Sequence, residues 1–191
     1  MSAGAVTVAV VGAGPAGVAC AARLLAVGVD VRVYDANGVS SLPFVPAAGK
    51  NDVKLSVAME IYGRGVRAVE SSGAIERANV AAVRWNRGGH VLTLADGKVV
   101  DAECVVLATG ADFPAGWSPD HACLRVSASR LMDEALECGP DGLVDVVGGM
   151  RTAQMGCYAV GSLVAGYVPT LSSATGTGDM AARDILASLA A

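Results

Sequence analysis

Three glycine-rich turns hold most of the chemistry that this 191-residue sequence can offer. The first is Gly12-Ala13-Gly14-Pro15-Ala16-Gly17, a G-x-G-x-x-G string between an apolar run, Val6 to Val11, and an alanine- and leucine-rich stretch, Pro15 to Val27. In such a string the first glycine permits a tight turn, the second lets a pyrophosphate approach the backbone, and the third lets a helix sit close on a strand. The N–H groups and positive dipole end of the helix that follows face the phosphates. Asp35 ends the next apolar run, where a carboxylate can accept hydrogen bonds from a ribose diol. These residues alone do not separate NAD from FAD, and an unrelated glycine loop is the bland alternative.

The second turn closes the buried run Val105 to Ala108 with Thr109-Gly110. The third follows Tyr158 to Val160 with Gly161-Ser162, and further on Ser173-Ala-Thr-Gly176-Thr-Gly178 reads as a glycine-rich loop opening a helix. Each of these, taken singly, is equally compatible with packing.

The elements that must position these turns can be read from periodicity. Val6 to Val11 is β-branched and apolar on both faces, as a buried parallel strand is. A helix over Pro15 to Val27 with Gly28 at its C-cap and a second strand over Val29 to Tyr34 complete a right-handed βαβ unit. Ala36 to Asp52, with Gly38, Pro43, Pro46 and Gly49, is a loop long enough to have a function. A helix is predicted over Val53 to Ser71, a strand over Ile75 to Trp85, a hairpin turning at Asp96-Gly97 between Val91–Leu94 and Val99–Val100, and a strand over Cys104 to Ala108. Gly110 to Pro119 is turn-rich and suits a crossing segment. A helix over Ser127 to Glu137, short strands over Leu143 to Val147 and Tyr158 to Val160, and a final helix over Asp179 to Leu189 complete the reading, with no internal repeat.

Composition bounds the classes. The length suits one domain of roughly 100 to 200 residues. With 53% hydrophobic and 17% charged residues the chain is globular rather than disordered. Its 24 glycines are nearly twice the usual share of roughly 7%. A net charge of −4 and the lack of any basic stripe argue against a nucleic-acid partner. Five cysteines, none in C-x-x-C spacing, suggest neither a disulfide framework nor a metal site, and fit a reducing, cytoplasmic setting. The first cation is Arg23, and glycines interrupt the apolar N-terminal run, so neither a signal peptide nor a membrane span is expected.

In their order along nearly the whole chain, the glycine fingerprint, the acidic strand end, the hairpin, the Ala108-Thr109-Gly110 turn and the Gly161-Ser162 strand end resemble the FAD domain of the pyridine nucleotide–disulfide oxidoreductase superfamily, most closely its thioredoxin reductase branch. The resemblance implies a single Rossmann-like α/β FAD-binding domain over residues 1–191, with a central parallel sheet, helices on both faces and a small antiparallel β-meander. It implies that Gly12, Gly14, Pro15 and Ala16 hold the FAD pyrophosphate, and Asp35, with Ala36 beside it, the adenosine ribose. Val80 would face the adenine through its backbone. Ala108, Thr109 and Gly110 would flank the cofactor at the crossover, and Gly161 and Ser162 would meet the ribityl and phosphate region. Thr170, Leu171 and the helix opening near Ser173 would lie by the pyrimidine edge of the flavin, where a helix N-terminus stabilises negative charge.

The chain departs from that family pattern twice. The family inserts a nicotinamide domain after the A-T-G turn, which in the thioredoxin reductase branch also bears the redox C-x-x-C. Here only about Ala111 to Arg151 fill the interval, without a second glycine fingerprint. Where the family has an aspartate bonded to the ribityl chain, this sequence has Ser162.

Reactive candidates are few. Lys50 and Asn51 lie in the long loop that in the family passes near the isoalloxazine, and His121, after the crossover, is a candidate general base. Each is weighed against a plain surface residue. His90, beside Gly88-Gly89, reads as a solvated turn histidine, Cys157 as a buried small hydrophobe, Cys123 and Cys138 as free thiols, Tyr34 and Trp85 as core, and Trp117 as a shield for the flavin or a loop residue. The expected function is FAD-dependent oxidation of a small molecule or a reduced partner, with oxygen or another species as electron acceptor. The alternatives are an auxiliary flavin-binding subunit whose flavin face another chain covers in a homo- or hetero-oligomer, and an NAD-binding Rossmann protein.

Overall fold

The computed structural model describes residues 2–36, 53–86, 88–110, 136–138, 143–167 and 170–191. The run that carries the first glycine turn forms β1 (Ser2–Val11) in the middle of the sheet. On one edge it pairs in parallel with β2 (Val31–Tyr34), Val8 opposite Val31 and Val11 opposite Tyr34. β3 (Ile75–Glu76) lies parallel beyond β2. Between them come α1 (Pro15–Leu25) and α2 (Val53–Ser71).

β4 (Val80–Asn86), β5 (Gly89–Leu94) and β6 (Val99–Leu107) form the antiparallel meander. β6 belongs to two structures. Along one edge it pairs in parallel with β1, Val8 opposite Cys104 and Val11 opposite Leu107. Its other edge is divided: residues Val99 to Ala102 pair with β5, and Val105 to Leu107 pair in parallel with β7 (Cys157–Ala159). The strand order is therefore β3-β2-β1-β6-β5-β4, with β7 also on β6.

That division explains why one strand reads as two in the sequence. From Val100 to Glu103 burial alternates, one face inward and one outward, whereas Cys104 to Leu107 are all buried. A period-two pattern gives way to a continuous apolar run at the point where the neighbour changes. Conversely, Ile75 to Trp85 is two strands, because the chain leaves the parallel edge at Arg77 to Asn79 and crosses to the meander. The Asp96-Gly97 turn forms as read: Gly97 is left-handed at φ +84°, and the Asp96 carboxylate accepts from the Lys98 N–H at 3.0 Å. Trp85 is not core. It sits near the end of the edge strand β4 and is 41% exposed, whereas Tyr34, in the interior, is buried as expected.

Leu143 to Val147 makes isolated bridges at Val144 and Val147 instead of a strand. The helix read over Ser127 to Glu137 lies outside the described residues except Leu136 and Glu137, which are not helical. The final helix, α3 (Leu171–Leu189), starts a full two turns before Asp179. Thr170 is its N-cap, the hydroxyl accepting from the Ser173 N–H at 3.1 Å. Gly176 and Gly178 are thus inside a helix rather than in a loop. At Gly178 the reason is contact: a Cβ there would lie 2.2 Å from the Ala16 carbonyl oxygen of α1. The three helices pack on one another, with α1 touching both α2 and α3. No helix among the described residues is long and apolar enough to cross a membrane.

Gly178→Val forces the α1 and α3 backbones apart and should cost about 3 kcal/mol or more of unfolding free energy, in the upper range for an overpacked core. Gly63→Ala, in the interior of α2 with only the Arg67 guanidinium as near as 3.7 Å, should be neutral or stabilise by up to about 1 kcal/mol. Urea denaturation of the two variants checks both, and a Gly178→Val protein as stable as wild type would refute the packing argument.

Candidate cofactor-binding site

Because β1, β6 and β7 run parallel, the loops that leave their C-terminal ends emerge at the same side of the sheet, the place where open α/β sheets bind ligands. Backbone hydrogen bonds fasten these ends together: Gly12 N–H to Tyr34 O at 2.9 Å, Ala108 N–H to Val11 O at 2.8 Å, and Val160 N–H to Leu107 O at 3.0 Å.

The three glycines of the first turn divide the work as their spacing suggests. Gly12 is left-handed at φ +105°, and a Cβ on it would lie 2.4 Å from the Ala108 carbonyl oxygen. A Cβ on Gly17 would lie 2.1 Å from the Gly12 oxygen, so only glycine lets α1 start this close to the turn. Gly14 has nothing within 4 Å of its Cβ position. It is the N-cap of α1, with no side chain capping the helix and Pro15 at its start. The open face therefore presents the N–H groups of the first turn of a helix, which suits an anionic group.

Around this opening the other turns converge. A Cβ on Gly161 would lie 3.1 Å from the Ala16 Cβ, and one on Gly110 would lie 3.9 Å from Ser162 Oγ. The Gly161 N–H donates to the Thr177 hydroxyl oxygen at 2.9 Å, and that hydroxyl donates to the Ala174 carbonyl at 2.8 Å. Thr177 is a residue that the sequence reading missed. A buried threonine between two glycines inside a helix is the signal that could have found it, since such a hydroxyl needs a backbone partner.

Asp35 stands beside the first turn, where one carboxylate oxygen accepts from the Ala13 N–H at 2.8 Å. Its own N–H donates to Glu76 O at 3.2 Å, joining the end of β2 to the end of β3. Tyr62 on α2 faces the same carboxylate. Burial raises its phenol pKa first, and the negative charges of Asp35 and Glu70 add to the rise. Ala36 follows as an exposed turn residue, and Val80 opens β4, buried and paired with Leu94.

The structure thus brings Gly12, Gly14, Pro15, Ala16, Asp35, Ala108, Thr109, Gly110, Gly161 and Ser162 to one end of the sheet, with Thr170 and Leu171 at the start of α3. Lys50, Asn51, Trp117, His121 and Cys123 lie outside the described residues.

Outside this site, His90 corrects the sequence reading. Instead of a solvated turn residue it is 1% exposed, because β5 lies between β4 and β6 and the turn before β7 covers the ring. Cys157 is buried as read; burial pushes its thiol and that of Cys20 up to about 12 and raises Cys104. Cys138 is an exposed free cysteine. Among the described residues no group of His, Cys, Asp and Glu is arranged to hold a metal ion.

A parallel sheet whose strand ends meet an open glycine turn, with an acidic residue ending the next strand, defines a dinucleotide-binding α/β domain. The family model described as pyridine nucleotide-disulphide oxidoreductase matches residues 6–115, and the chain belongs to that family. Its fold is that of the thioredoxin reductases. A ferredoxin-flavin thioredoxin reductase from Clostridium acetobutylicum superposes with a TM-score of 0.76 at 15% identity, covering 98% of this chain and 99% of that one. A thioredoxin reductase from Gloeobacter violaceus gives 0.72 at 16%, covering 97% and 95%. One from T. acidophilum gives 0.70 at 14%, covering 98% and 99%. No match is found among the curated proteins.

Asp35→Ala leaves the part-buried Ala13 N–H without its acceptor and should lower stability by about 1–3 kcal/mol even in cofactor-free protein. Asp35→Asn keeps a side-chain oxygen for that bond and should lose less than half as much. Thermal or urea unfolding of the two apoproteins measures the difference, and equal losses would show that the Ala13 bond is not what Asp35 contributes.

Proposed function

We propose that this chain is a single-domain FAD-binding oxidoreductase that acts on a small molecule or a reduced partner protein without a nicotinamide domain of its own. The observation that carries the proposal is the uncapped N-terminus of α1 behind the open Gly14, with Asp35 fixed beside it. A pyrophosphate needs backbone N–H donors with no Cβ in its way, and that is the arrangement present. The Asp35 carboxylate, held beside the first turn by its bond to Ala13, is the kind of acceptor that a ribose diol takes.

In this reading Gly12, Gly14, Pro15 and Ala16 hold the pyrophosphate, and Asp35 with Ala36 and the Val80 backbone holds the adenosine. Ala108, Thr109, Gly110, Gly161 and Ser162 line the path of the ribityl chain, and Thr170 and Leu171 bring the N-terminus of α3 to the pyrimidine edge. The bound flavin supplies the two-electron redox chemistry. The protein positions it, and Ser162 offers a neutral hydroxyl where the family offers a carboxylate. Substrate would reach the flavin face that the inserted domain serves in the family, since about Ala111 to Arg151 are all that fill that interval.

A second reading, an auxiliary flavin subunit covered by another chain, draws on a different face. A groove of about 1060 Å³ between the helices is lined by Ala22, Val57, Ile61, Ala68, Thr175 and Gly176, and Val57 and Ile61 are 49% and 53% exposed. Apolar side chains grouped in this way suit association. Light scattering with and without FAD distinguishes the readings: a constant monomer favours the stand-alone enzyme.

The protein as purified should be yellow, or take up added FAD, and bleach with an electron donor under anaerobic conditions. Ser162→Asp should tighten FAD binding by about 5- to 10-fold, the worth of replacing a neutral with a charge-assisted hydrogen bond. A colourless protein that takes up no FAD would overturn the proposal, and calorimetry showing NAD(H) binding in its place would assign a nicotinamide-binding domain.

A further inference from the structure

His90 takes no part in the cofactor site, yet it joins two distant parts of the chain. It stands on β5, cross-strand from Trp85 on β4 and Ala102 on β6. Its ring reaches the turn that precedes β7, where Nε2 lies 3.1 Å from the Met155 carbonyl oxygen. Gly156 closes the contact. It is left-handed at φ +72°, and a Cβ on it would lie 3.2 Å from His90 Nε2 and 3.0 Å from the Glu103 carbonyl oxygen. Nδ1 is buried with no hydrogen-bond partner. The carbonyl acceptor assigns the proton to Nε2, so the neutral ring keeps a bare lone pair at Nδ1.

We propose that His90 is a pH-sensitive latch between the meander and the turn that opens β7, closed when the imidazole is neutral and released when it is protonated. Protonation adds an N–H at Nδ1, which has no hydrogen-bond partner, and puts a charge on a ring that is 1% exposed. Neither change can be absorbed without moving the turn away from the ring. Burial accordingly lowers the His90 pKa from its ordinary value of 6.5, the carbonyls of Met155 and Gly156 opposing that shift only in part. A lowered value in the folded state means that the latch contributes fully above about pH 6.5 and is lost as pH falls through the folded-state value.

Three carboxylates reach the cavity beside the ring, yet burial outweighs them and the net shift of His90 is downward. On β6, Asp101 and Glu103 flank Ala102, are exposed and, with Asp30, line the cavity that His90 borders, while Cys104 shares the face of His90, its thiol pKa raised by burial. On β4, Trp85 is neutral and Arg84 is exposed. From the turn come only the Thr152 hydroxyl and the Cys157 thiol, both uncharged.

The turn is built to move as a unit. Thr152 N–H donates to Cys157 O at 3.0 Å, Gln154 N–H to Thr152 Oγ1 at 3.2 Å, and Cys157 N–H to Gln154 O at 3.1 Å. Besides the histidine, it is tied to the sheet here by the Val105 N–H, which donates to Gly156 O at 2.9 Å.

The test uses the full chain. His121→Asn assigns the two imidazole resonances, after which NMR follows the His90 ring and the hydrogen exchange of the Val105 and Cys157 amides from pH 8 to 5. We expect the ring to titrate below its ordinary value of 6.5 and the corrected exchange rate of the Val105 amide to rise about tenfold or more when it charges, while the Cys157 amide, bonded to Gln154 inside the turn, changes less. In His90→Gln, whose amide can still donate to Met155 but cannot titrate, the rise should vanish. A ring that titrates at its ordinary value with both amides unchanged overturns the latch, as does a His90→Gln protein that loosens over the same pH range as wild type. Should that variant fail to fold, the wild-type ring and amide titrations decide alone.

Discussion

Three main-chain contacts at the start of α1 allow everything else at this end of the molecule. The Cβ positions of Gly12, Gly17 and Gly178 fall 2.4, 2.1 and 2.2 Å from the carbonyl oxygens of Ala108, Gly12 and Ala16. No side chain fits into such spaces, so backbone meets backbone: the turn against the end of β6, the helix against the turn, and α3 against the helix. This closeness sets where the N-terminus of α1 points. Were any of the three wider by one methyl group, α1 would tilt off the sheet and the N–H groups that face Gly14 would no longer converge with the ends of β6 and β7. The glycine motif is thus a packing device at Gly12 and Gly17, and Gly14 alone among these residues has open space at its Cβ position.

β6 transmits this arrangement to the rest of the sheet. Its C-terminal half is buried on both faces between β1 and β7, while its N-terminal half alternates between β1 and the meander. One strand therefore aligns the parallel layer with the antiparallel one, and its divided edge leaves a junction where β5 and β7 both begin. The Met155-Gly156 turn fills that junction, which is why a histidine at the start of β5 comes to be buried by residues 65 positions away.

What could be read from the sequence and what could not separate along a physical line. Gly12 to Gly17, Asp35, the βαβ unit and the Asp96-Gly97 turn depend on contacts within a few residues or on strand periodicity, and those patterns are written locally. The extent of α3 was hidden because Gly176 and Gly178 lower intrinsic helix propensity and look like a loop. Their compensation is the contact with Ala16, which only the fold supplies. His90 was misread for the same reason: neighbouring glycines suggest solvent, but the covering turn arrives from the far end of the chain. Thr177 had no visible role until Gly161 was placed against it. The mistaken readings are thus those in which a tertiary contact overrides a local preference.

α1 and α3 both begin at the ligand-binding side of this sheet, and they treat their N-termini in opposite ways. α3 is capped by Thr170, whose hydroxyl satisfies the Ser173 N–H, and its first turn has no acidic residue. α1 has Gly14 in the capping position, no side-chain bond, and proline as its first residue. With glycine at the capping position, α1 forgoes roughly a few tenths of a kcal/mol relative to a side-chain cap. That loss is tolerable because α1 is held on three sides by packing that does not depend on its cap. The capped helix keeps its dipole as a diffuse field, suited to stabilising charge that develops at a distance, whereas the uncapped one offers direct hydrogen bonds to an anion. In the proposed FAD-binding reading, this difference between a threonine and a glycine suits α1 to the phosphate end of the dinucleotide and α3 to the end where electrons move.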